Sequence, residues 1–251
     1  MKNKTLTMKE IAILIIVLLI SLSLSAQDEV TIGKYRKFDS EILGGEVTYL
    51  VHLPDGYEGS KMSYPVIYMM NGQSLSAFAN ASSTIDNLSD ERVPDMILVG
   101  ISNTGSAEQY WSCPDDSGNV KSGAAINKFL KEDLVPEVEK NYRTNGYKIL
   151  FGQSNSSLFV LYNMLSQPGM FDSYVVASPM LGCCPQFFTG KLKAFANNQN
   201  HLKVKLNVSR GSLDYIEVLR YIDSFVKLVE QLPDGTRTKS VMIENSGHVP
   251  A

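Results

Sequence analysis

The chain has 251 residues, of which 44% are hydrophobic and 20% are charged, with 18 glycines and 10 prolines. This composition excludes collagen-like, low-complexity and wholly disordered proteins. The 23 basic and 26 acidic residues give a net charge of −3. Because no basic excess is present to neutralise phosphates, we expect a globular protein that does not bind nucleic acid.

Residues 1–26 have the pattern of a signal peptide. Three lysines within the first nine residues precede an apolar stretch at 11–24, and small residues lead up to Ala26. The apolar stretch is shorter than the roughly 20 residues of a membrane-spanning helix. We therefore expect cleavage after Ala26, export to the periplasm or outside of a bacterial cell, and no stable membrane insertion after cleavage.

Strands and helices are predicted to alternate through the remaining chain, which we expect to be one domain, residues 27–251. Continuous apolar runs indicate strands buried on both faces, and longer segments with apolar residues every three or four positions indicate helices. In chain order the pattern predicts strand 47–53, strand 65–70, helix 75–88, strand 96–101, helix 124–142, strand 147–151, helix 158–165, strand 174–177, strand 204–208, helix 216–232 and strand 240–243. Repeated strand–helix units predict an α/β fold, with a mainly parallel sheet and helices on both faces.

A candidate nucleophile lies in the sequence Gly152-Gln153-Ser154-Asn155-Ser156, between the predicted strand ending at Phe151 and the following helix. This context is that of the G-x-S-x-G nucleophile elbow, a strained turn that exposes a serine. Small residues are required on both sides of the serine because strand and helix approach closely. Ser156 stands where the pattern has its second glycine. The pattern predicts Ser154 as the nucleophile.

A serine nucleophile needs a base, and the chain contains three histidines, His52, His201 and His248. In α/β-hydrolases the order along the chain is serine, acid, histidine, which favours His248 after the last predicted strand. The acid should follow the preceding strand, where Asp214 is the candidate and Glu217 is the alternative. Because aspartate also favours helix N-caps, a capping role for Asp214 remains open.

Stabilisation of an oxyanion requires two backbone N–H donors. One is predicted from Asn155, directly after the nucleophile, and the other from the loop after strand 65–70, at Gln73 or Gly72. No cluster of histidines and cysteines has the spacing of metal ligands, so we expect neither a metal nor a cofactor.

The segment from Tyr142 to Pro179 resembles the esterase family that contains esterase D and the enterochelin esterases, within the α/β-hydrolase superfamily. The similarity includes Gly152 to Asn155 and the sequence Pro168-Gly169-Met170-Phe171-Asp172. Weaker landmarks extend it over roughly residues 45–250. The resemblance implies an α/β-hydrolase fold with Ser154 as nucleophile and His248 as base.

Two features depart from the family pattern. Ser156-Ser157 replaces a pair of glycines, and the sequence ends three residues after His248, where family members continue into a final helix. The favoured hypothesis is a secreted serine esterase that forms an acyl-enzyme and acts on a small-molecule or polysaccharide-linked ester. An acyltransferase and a non-catalytic binding module on the same scaffold are the alternatives.

Overall fold

The computed structural model describes residues 7–9, 11–13, 31–89, 92–101, 113–114, 121–197, 205–232 and 237–248. The chain divides into two compact units, residues 1–32 and 33–251. In the first unit, residues 8–9 and 11–13 are helical. No helix within the described ranges combines the length and the apolar character that a membrane crossing requires. His201 and the predicted cleavage position after Ala26 lie outside the described residues.

The second unit is built on an eight-stranded sheet. Its strands are β1 Lys34–Ser40, β2 Gly45–His52, β3 Tyr64–Met69, β4 Ile97–Ile101, β5 Thr144–Gln153, β6 Ser173–Ala177, β7 Lys205–Gly211 and β8 Arg237–Ile243. The spatial order is β1-β2-β4-β3-β5-β6-β7-β8. The pairs β1/β2 and β2/β4 are antiparallel, whereas β3 to β8 run parallel. The carboxyl ends of β3 to β8 therefore lie at one edge of the sheet.

Within the described ranges, six α-helices accompany the sheet, namely α1 Leu75–Ser89, α2 Lys121–Phe129, α3 Val135–Asn141, α4 Asn155–Ser166, α5 Pro185–Asn197 and α6 Ile216–Glu230. A π-helical turn, Leu130–Leu134, joins α2 to α3. Short 3₁₀ turns occupy Tyr57–Gly59 and Leu181–Cys183.

Side chains alternate between the two faces of the sheet along each strand, so a central strand packs against helices on both faces. On β3, Met69 joins a small cluster under α1 that contains Phe78. Tyr68 and Met70 point the other way, into the main core beneath α4 and α6. The continuous apolar run of β3 thus fills two cores at once, as expected for a central parallel strand.

The predicted mainly parallel sheet with helices on both faces is confirmed. Two elements were not predicted. Strand β1 is an edge strand whose side chains are mostly exposed, so it lacks an apolar signal. Helix α5 contains Gly190, which weakens a helical pattern.

Candidate active site

Three predicted residues meet at the carboxyl edge of the sheet. Ser154 follows β5, Asp214 follows β7, and His248 follows β8. In open parallel sheets this edge is where ligands bind, because the loops from neighbouring strands converge there.

Ser154 occupies a strained turn between β5 and α4. Its φ of 57° and ψ of −125° lie outside the regions favoured by residues with a side chain. Its N–H donates to the Ala177 carbonyl at 2.9 Å, which ties the turn to β6. A Cβ at Gly152 would lie 2.7 Å from the Ser156 backbone, so the close approach of strand and helix requires glycine there. The turn has the backbone geometry expected of a nucleophile elbow.

The two serines that replace the family's glycines brace this turn. The Ser156 hydroxyl accepts a hydrogen bond from the Gln153 N–H at 2.9 Å and lies 2.8 Å from the Gln153 carbonyl. Ser157 is fully buried, and its Oγ lies 2.9 Å from the carbonyl oxygens of both Gly152 and Ala177. Both hydroxyls find polar partners in the elbow itself, so the departure from glycine leaves its geometry in place.

A continuous hydrogen-bonded chain joins the three residues. His248 Nε2 lies 2.8 Å from Ser154 Oγ, and His248 Nδ1 lies 2.7 Å from Asp214 Oδ1. An ionised carboxylate can only accept, so the proton of the neutral ring belongs on Nδ1. Nε2 is then free to accept from the serine hydroxyl.

The carboxylate of Asp214 is fully shielded from solvent and ionised. Burial raises its pKa, but the Ser178 hydroxyl, the His248 ring and the Tyr215 N–H outweigh burial, and the pKa lies below its ordinary value. The Tyr215 N–H donates to Asp214 Oδ1 at 2.7 Å. Glu217 is exposed in the first turn of α6, so the acid that contacts His248 is Asp214.

His248 is carried by the histidine loop, residues 244–248. The Leu213 N–H donates to the Ser246 carbonyl at 2.9 Å, and the Asn245 N–H donates to Ser212 Oγ at 2.8 Å. A Cβ at Gly211 would lie 2.1 Å from the Ser246 carbonyl oxygen, so the loop can pack here only against glycine. These contacts attach the histidine loop to the segment that carries Asp214.

The predicted oxyanion donors lie beside the elbow. The Asn155 N–H is in the first turn of α4, where amides have no partner within the helix. Gly72 and Gln73 follow β3, which pairs with β5. A Cβ at Gly72 would lie 2.3 Å from the Gly100 backbone, so this loop needs glycine to pack on β4.

Two further predictions concern His52 and a metal site. His52, one of the three histidines considered as the base, contacts Asp86 instead, with its Nε2 2.9 Å from Asp86 Oδ1. No group of His, Cys, Asp and Glu arranged to hold a metal ion occurs among the described residues. Sequence reasoning missed Ser178, whose hydroxyl acts on Asp214, and Gly211, whose backbone packs against the histidine loop, because neither residue carries a motif of its own.

Comparison with known proteins places the chain among esterases. The family model described as "Putative esterase" matches residues 40–216. Ferri-bacillibactin esterase BesA of Bacillus subtilis is 26% identical over 214 residues, which cover 74% of this chain and 74% of that protein.

Solved structures confirm the predicted α/β-hydrolase fold. An IroE-like serine hydrolase from Shewanella oneidensis superposes with a TM-score of 0.76 at 22% identity, covering 87% of this chain and 75% of that one. Siderophore hydrolase EstB from Aspergillus nidulans gives a TM-score of 0.74 at 17% identity, covering 90% of this chain and 92% of that one. The chain belongs to the esterase family described above and is a serine hydrolase that acts on carboxylic ester bonds.

Proposed function

We propose that the protein hydrolyses its ester through a Ser154-His248-Asp214 triad and an acyl-enzyme. The observation that supports this proposal is the hydrogen-bonded chain from Ser154 Oγ through both ring nitrogens of His248 to Asp214. The mechanism requires a serine hydroxyl, a neutral imidazole and an ionised carboxylate, and the pKa of the Asp214 carboxyl lies below its ordinary value.

Acylation begins as Ser154 Oγ attacks the ester carbonyl carbon and its proton passes to His248 Nε2. The tetrahedral intermediate collapses, the bond to the alcohol oxygen breaks, and His248 returns the proton to that oxygen. Asp214 stays ionised and stabilises the imidazolium through the 2.7 Å hydrogen bond to Nδ1. Water then attacks the acyl-enzyme with His248 as base, and Ser154 leaves with the proton restored.

The negative charge on the carbonyl oxygen needs donors that are already oriented. The backbone N–H of Asn155 has no partner within α4 and follows the nucleophile directly. The second donor is assigned to the loop after β3, at Gln73 with Gly72 as the alternative.

Replacement of the nucleophile tests the mechanism. Mature chain beginning at Gln27 is assayed with 4-nitrophenyl acetate beside Ser154→Ala and the control Ser83→Ala, which changes an exposed serine of α1. We expect kcat/KM to fall by roughly 10³ or more in Ser154→Ala, the usual cost of removing a triad member, and to stay unchanged in the control. Equal activity in wild type and Ser154→Ala, with matching thermal unfolding, would refute the triad.

For the substrate, we propose the ester bond of a siderophore, a small iron-binding molecule. This choice is supported by the names of two similar proteins, ferri-bacillibactin esterase and siderophore hydrolase. A feruloyl ester linked to polysaccharide is the second candidate, because a ferulic acid esterase from Anaeromyces mucronatus also shares the fold, with a TM-score of 0.66. Hydrolysis of ferri-bacillibactin and methyl ferulate, followed by chromatography, distinguishes the two. A higher kcat/KM for methyl ferulate would contradict the siderophore assignment.

The proposal includes export from a bacterial cell. It is supported by the lysines, apolar stretch and small residues of segment 1–26. Expression with this segment in a bacterial host should yield periplasmic or secreted protein whose first residue is Gln27, as measured by N-terminal sequencing. Full-length protein retained in the membrane fraction would show that the segment acts as an anchor.

A further inference from the structure

Three large apolar residues flank Asp214 in the sequence and have exposed side chains, and together they are called the apolar rim: Leu213, Tyr215 and Ile216. Their exposed fractions are 69%, 57% and 56%, whereas the Asp214 side chain between them is fully buried. Leaving such side chains in water forgoes the favourable free energy of burying them. Exposed apolar residues that follow one another beside a candidate active site suit contact with an apolar group of a ligand.

The backbone of the apolar rim is held in place from both sides. The Leu213 N–H donates to the Ser246 carbonyl at 2.9 Å, and the Tyr215 N–H donates to Asp214 Oδ1 at 2.7 Å. The Tyr215 carbonyl accepts from Val218 and Leu219 at 3.0 Å and begins α6. The rim therefore presents its side chains from an ordered segment.

The apolar rim contacts the predicted base. The Tyr215 ring lies with its centroid 4.5 Å from the centroid of the His248 ring, at an angle of 33°. A base that protonates the leaving alcohol must lie within hydrogen-bond reach of the alcohol oxygen. The substituent on that oxygen therefore leaves the reaction centre on the imidazole side, where Tyr215 lies. The carbonyl oxygen faces the Asn155 N–H instead.

On the basis of the function proposed above, we propose that the apolar rim is a binding subsite for the alcohol portion of the ester and selects an apolar or aromatic alcohol. One methylene placed in a matching apolar pocket changes kcat/KM by roughly 10- to 200-fold. The apolar rim thus predicts that the alcohol half of the substrate is apolar or aromatic.

Two acetate esters measure this selectivity, since 2-phenylethyl acetate and 2-methoxyethyl acetate share the acyl group and differ in the polarity of the alcohol. We expect wild type to favour the phenylethyl ester by about tenfold in kcat/KM, and Leu213→Ser or Ile216→Ser to lower this ratio at least about threefold. Neither Leu213 nor Ile216 is among the residues that form a ring contact or a hydrogen bond with His248. The control is Met62→Ser, an exposed apolar residue outside the site, which should leave the ratio unchanged.

The two proposals fail in different ways. If the rim variants keep the wild-type ratio while hydrolysis still depends on Ser154, the subsite is refuted and the mechanism stands. If the rim variants change the ratio of ethyl butyrate to ethyl acetate instead, the rim contacts the acyl side and the alcohol assignment is wrong. If no ester is hydrolysed in a Ser154-dependent manner, the mechanism itself fails, and the subsite with it.

A separate observation concerns Ser178, directly after β6. Ser178 is fully buried, has a φ of 47°, and donates its N–H to the Ser209 carbonyl at 2.8 Å. Its hydroxyl makes no hydrogen bond of normal geometry among the described residues, and neither does Asp214 Oδ2. A buried hydroxyl or carboxylate oxygen without a partner is costly, and such groups in native proteins are nearly always paired.

One of the two unpaired atoms belongs to a hydrogen-bond donor, the Ser178 hydroxyl, and the other is an acceptor, Asp214 Oδ2. Ser178 follows β6 and Asp214 follows the neighbouring strand β7, so both buried side chains lie at the same edge of the sheet. The Ser178 hydroxyl is one of the groups that lower the pKa of the Asp214 carboxyl. Asp214 Oδ1 is already occupied by His248 Nδ1 and the Tyr215 N–H. A hydrogen bond from the Ser178 hydroxyl to Asp214 Oδ2 would satisfy both unpaired atoms.

We infer that Ser178 is a positioning residue, whose hydroxyl donates to Asp214 Oδ2 during catalysis and directs Oδ1 toward His248. Because a positive φ suits glycine, Ser178→Gly removes the hydroxyl without backbone strain. We expect kcat to fall on the order of tenfold with KM unchanged, since the lost hydrogen bond is to a charged group.

A double-mutant cycle separates positioning from a structural role. In an Asp214→Ala background, Ser178→Gly should have no further effect on kcat, because the carboxylate it positions is gone. An equal loss of kcat in both backgrounds would show that Ser178 acts on the fold rather than on Asp214, and would overturn the inference. So would unchanged kcat in the single variant.

Discussion

The two ends of the proposed catalytic chain are supported very differently. The elbow that carries Ser154 lies at the centre of the sheet, since β5 pairs with β3 on one side and β6 on the other, and α4 behind it is almost wholly buried. The histidine loop follows β8, a strand at the end of the sheet whose side chains are mostly exposed. Packing fixes the serine, whereas a few backbone hydrogen bonds fix the histidine.

This difference predicts how each end responds to a change. A disturbance at the elbow must move buried side chains, so it should lower stability together with activity. A disturbance at the histidine loop can be absorbed by an exposed segment, so it should lower activity alone. A single methyl group added at the glycine that supports each end tests this prediction.

Of the two glycine substitutions, Gly152→Ala at the elbow is expected to have the larger combined effect on stability and activity. The added Cβ would lie 2.7 Å from Ser156 backbone atoms and 2.8 Å from Val160 Cγ2, so α4 must shift away from β5. Overpacking of this kind costs about 1–3 kcal/mol in the free energy of unfolding. We expect a melting temperature lowered by roughly 2–12 °C and a kcat/KM lowered on the order of 100-fold.

Circular dichroism during heating measures the change in melting temperature, and an ester hydrolysis assay measures the change in kcat/KM. Gly190→Ala in α5 is the matched control, because its Cβ would meet no atom within 4 Å. It should keep full activity and melt no lower than wild type, since alanine favours a helix interior. A Gly152→Ala variant that melts at the wild-type temperature would contradict the view that packing fixes the elbow.

Gly211→Ala is the counterpart at the histidine loop. The added Cβ would lie 2.1 Å from the Ser246 carbonyl oxygen and 2.3 Å from the Gly247 carbonyl oxygen, so the loop must move. A displacement of about 1 Å at His248 costs on the order of 100-fold in kcat/KM. The melting temperature should fall less than in Gly152→Ala, because the displaced residues 246–248 are only half-buried.

The same heating and hydrolysis experiments on both alanine variants test whether the elbow and the histidine loop are supported differently. Equal losses of melting temperature would show that the histidine loop is as firmly part of the core as the elbow. Wild-type activity in Gly211→Ala would show that the loop adapts without moving His248.

The same contrast explains what the sequence could predict. Ser154 and His248 were predicted because the elbow needs a local pattern of small residues and the chain order places the histidine after the last strand. The central strands were predictable because burial on both faces leaves continuous apolar runs, as in β3 and β4. Fold and candidate triad therefore leave signals within short windows of sequence.

Supporting contacts between distant segments leave no such signal. Ser178 approaches Asp214, and Gly211 packs against Ser246, only because β6, β7 and β8 are neighbours in the sheet. The bracing by Ser156 and Ser157 was likewise not predicted, because a hydroxyl's partner depends on the completed turn. A serine or glycine alone does not indicate which residue it will meet.

The smallest effect is expected from Ser212→Ala, which removes one hydrogen bond from the histidine loop. Ser212 Oγ accepts from the Asn245 N–H at 2.8 Å, and Asn245 has a φ of 58°, a conformation that asparagine tolerates better than most residues. Because the Leu213 N–H still holds the Ser246 carbonyl, the loop keeps one anchor.

We expect kcat/KM of Ser212→Ala to fall about two- to tenfold, as a hydrogen bond worth about 0.5–1.5 kcal/mol implies, with no measurable change in melting temperature. Ser212→Thr, which keeps the hydroxyl, should restore most of the activity and serves as the control. A loss in Ser212→Ala as large as that in Gly211→Ala would mean that the single side-chain hydrogen bond, and not the packing of the loop on Gly211, positions His248. The histidine end would then depend on one exposed contact, an even sharper contrast with the buried elbow.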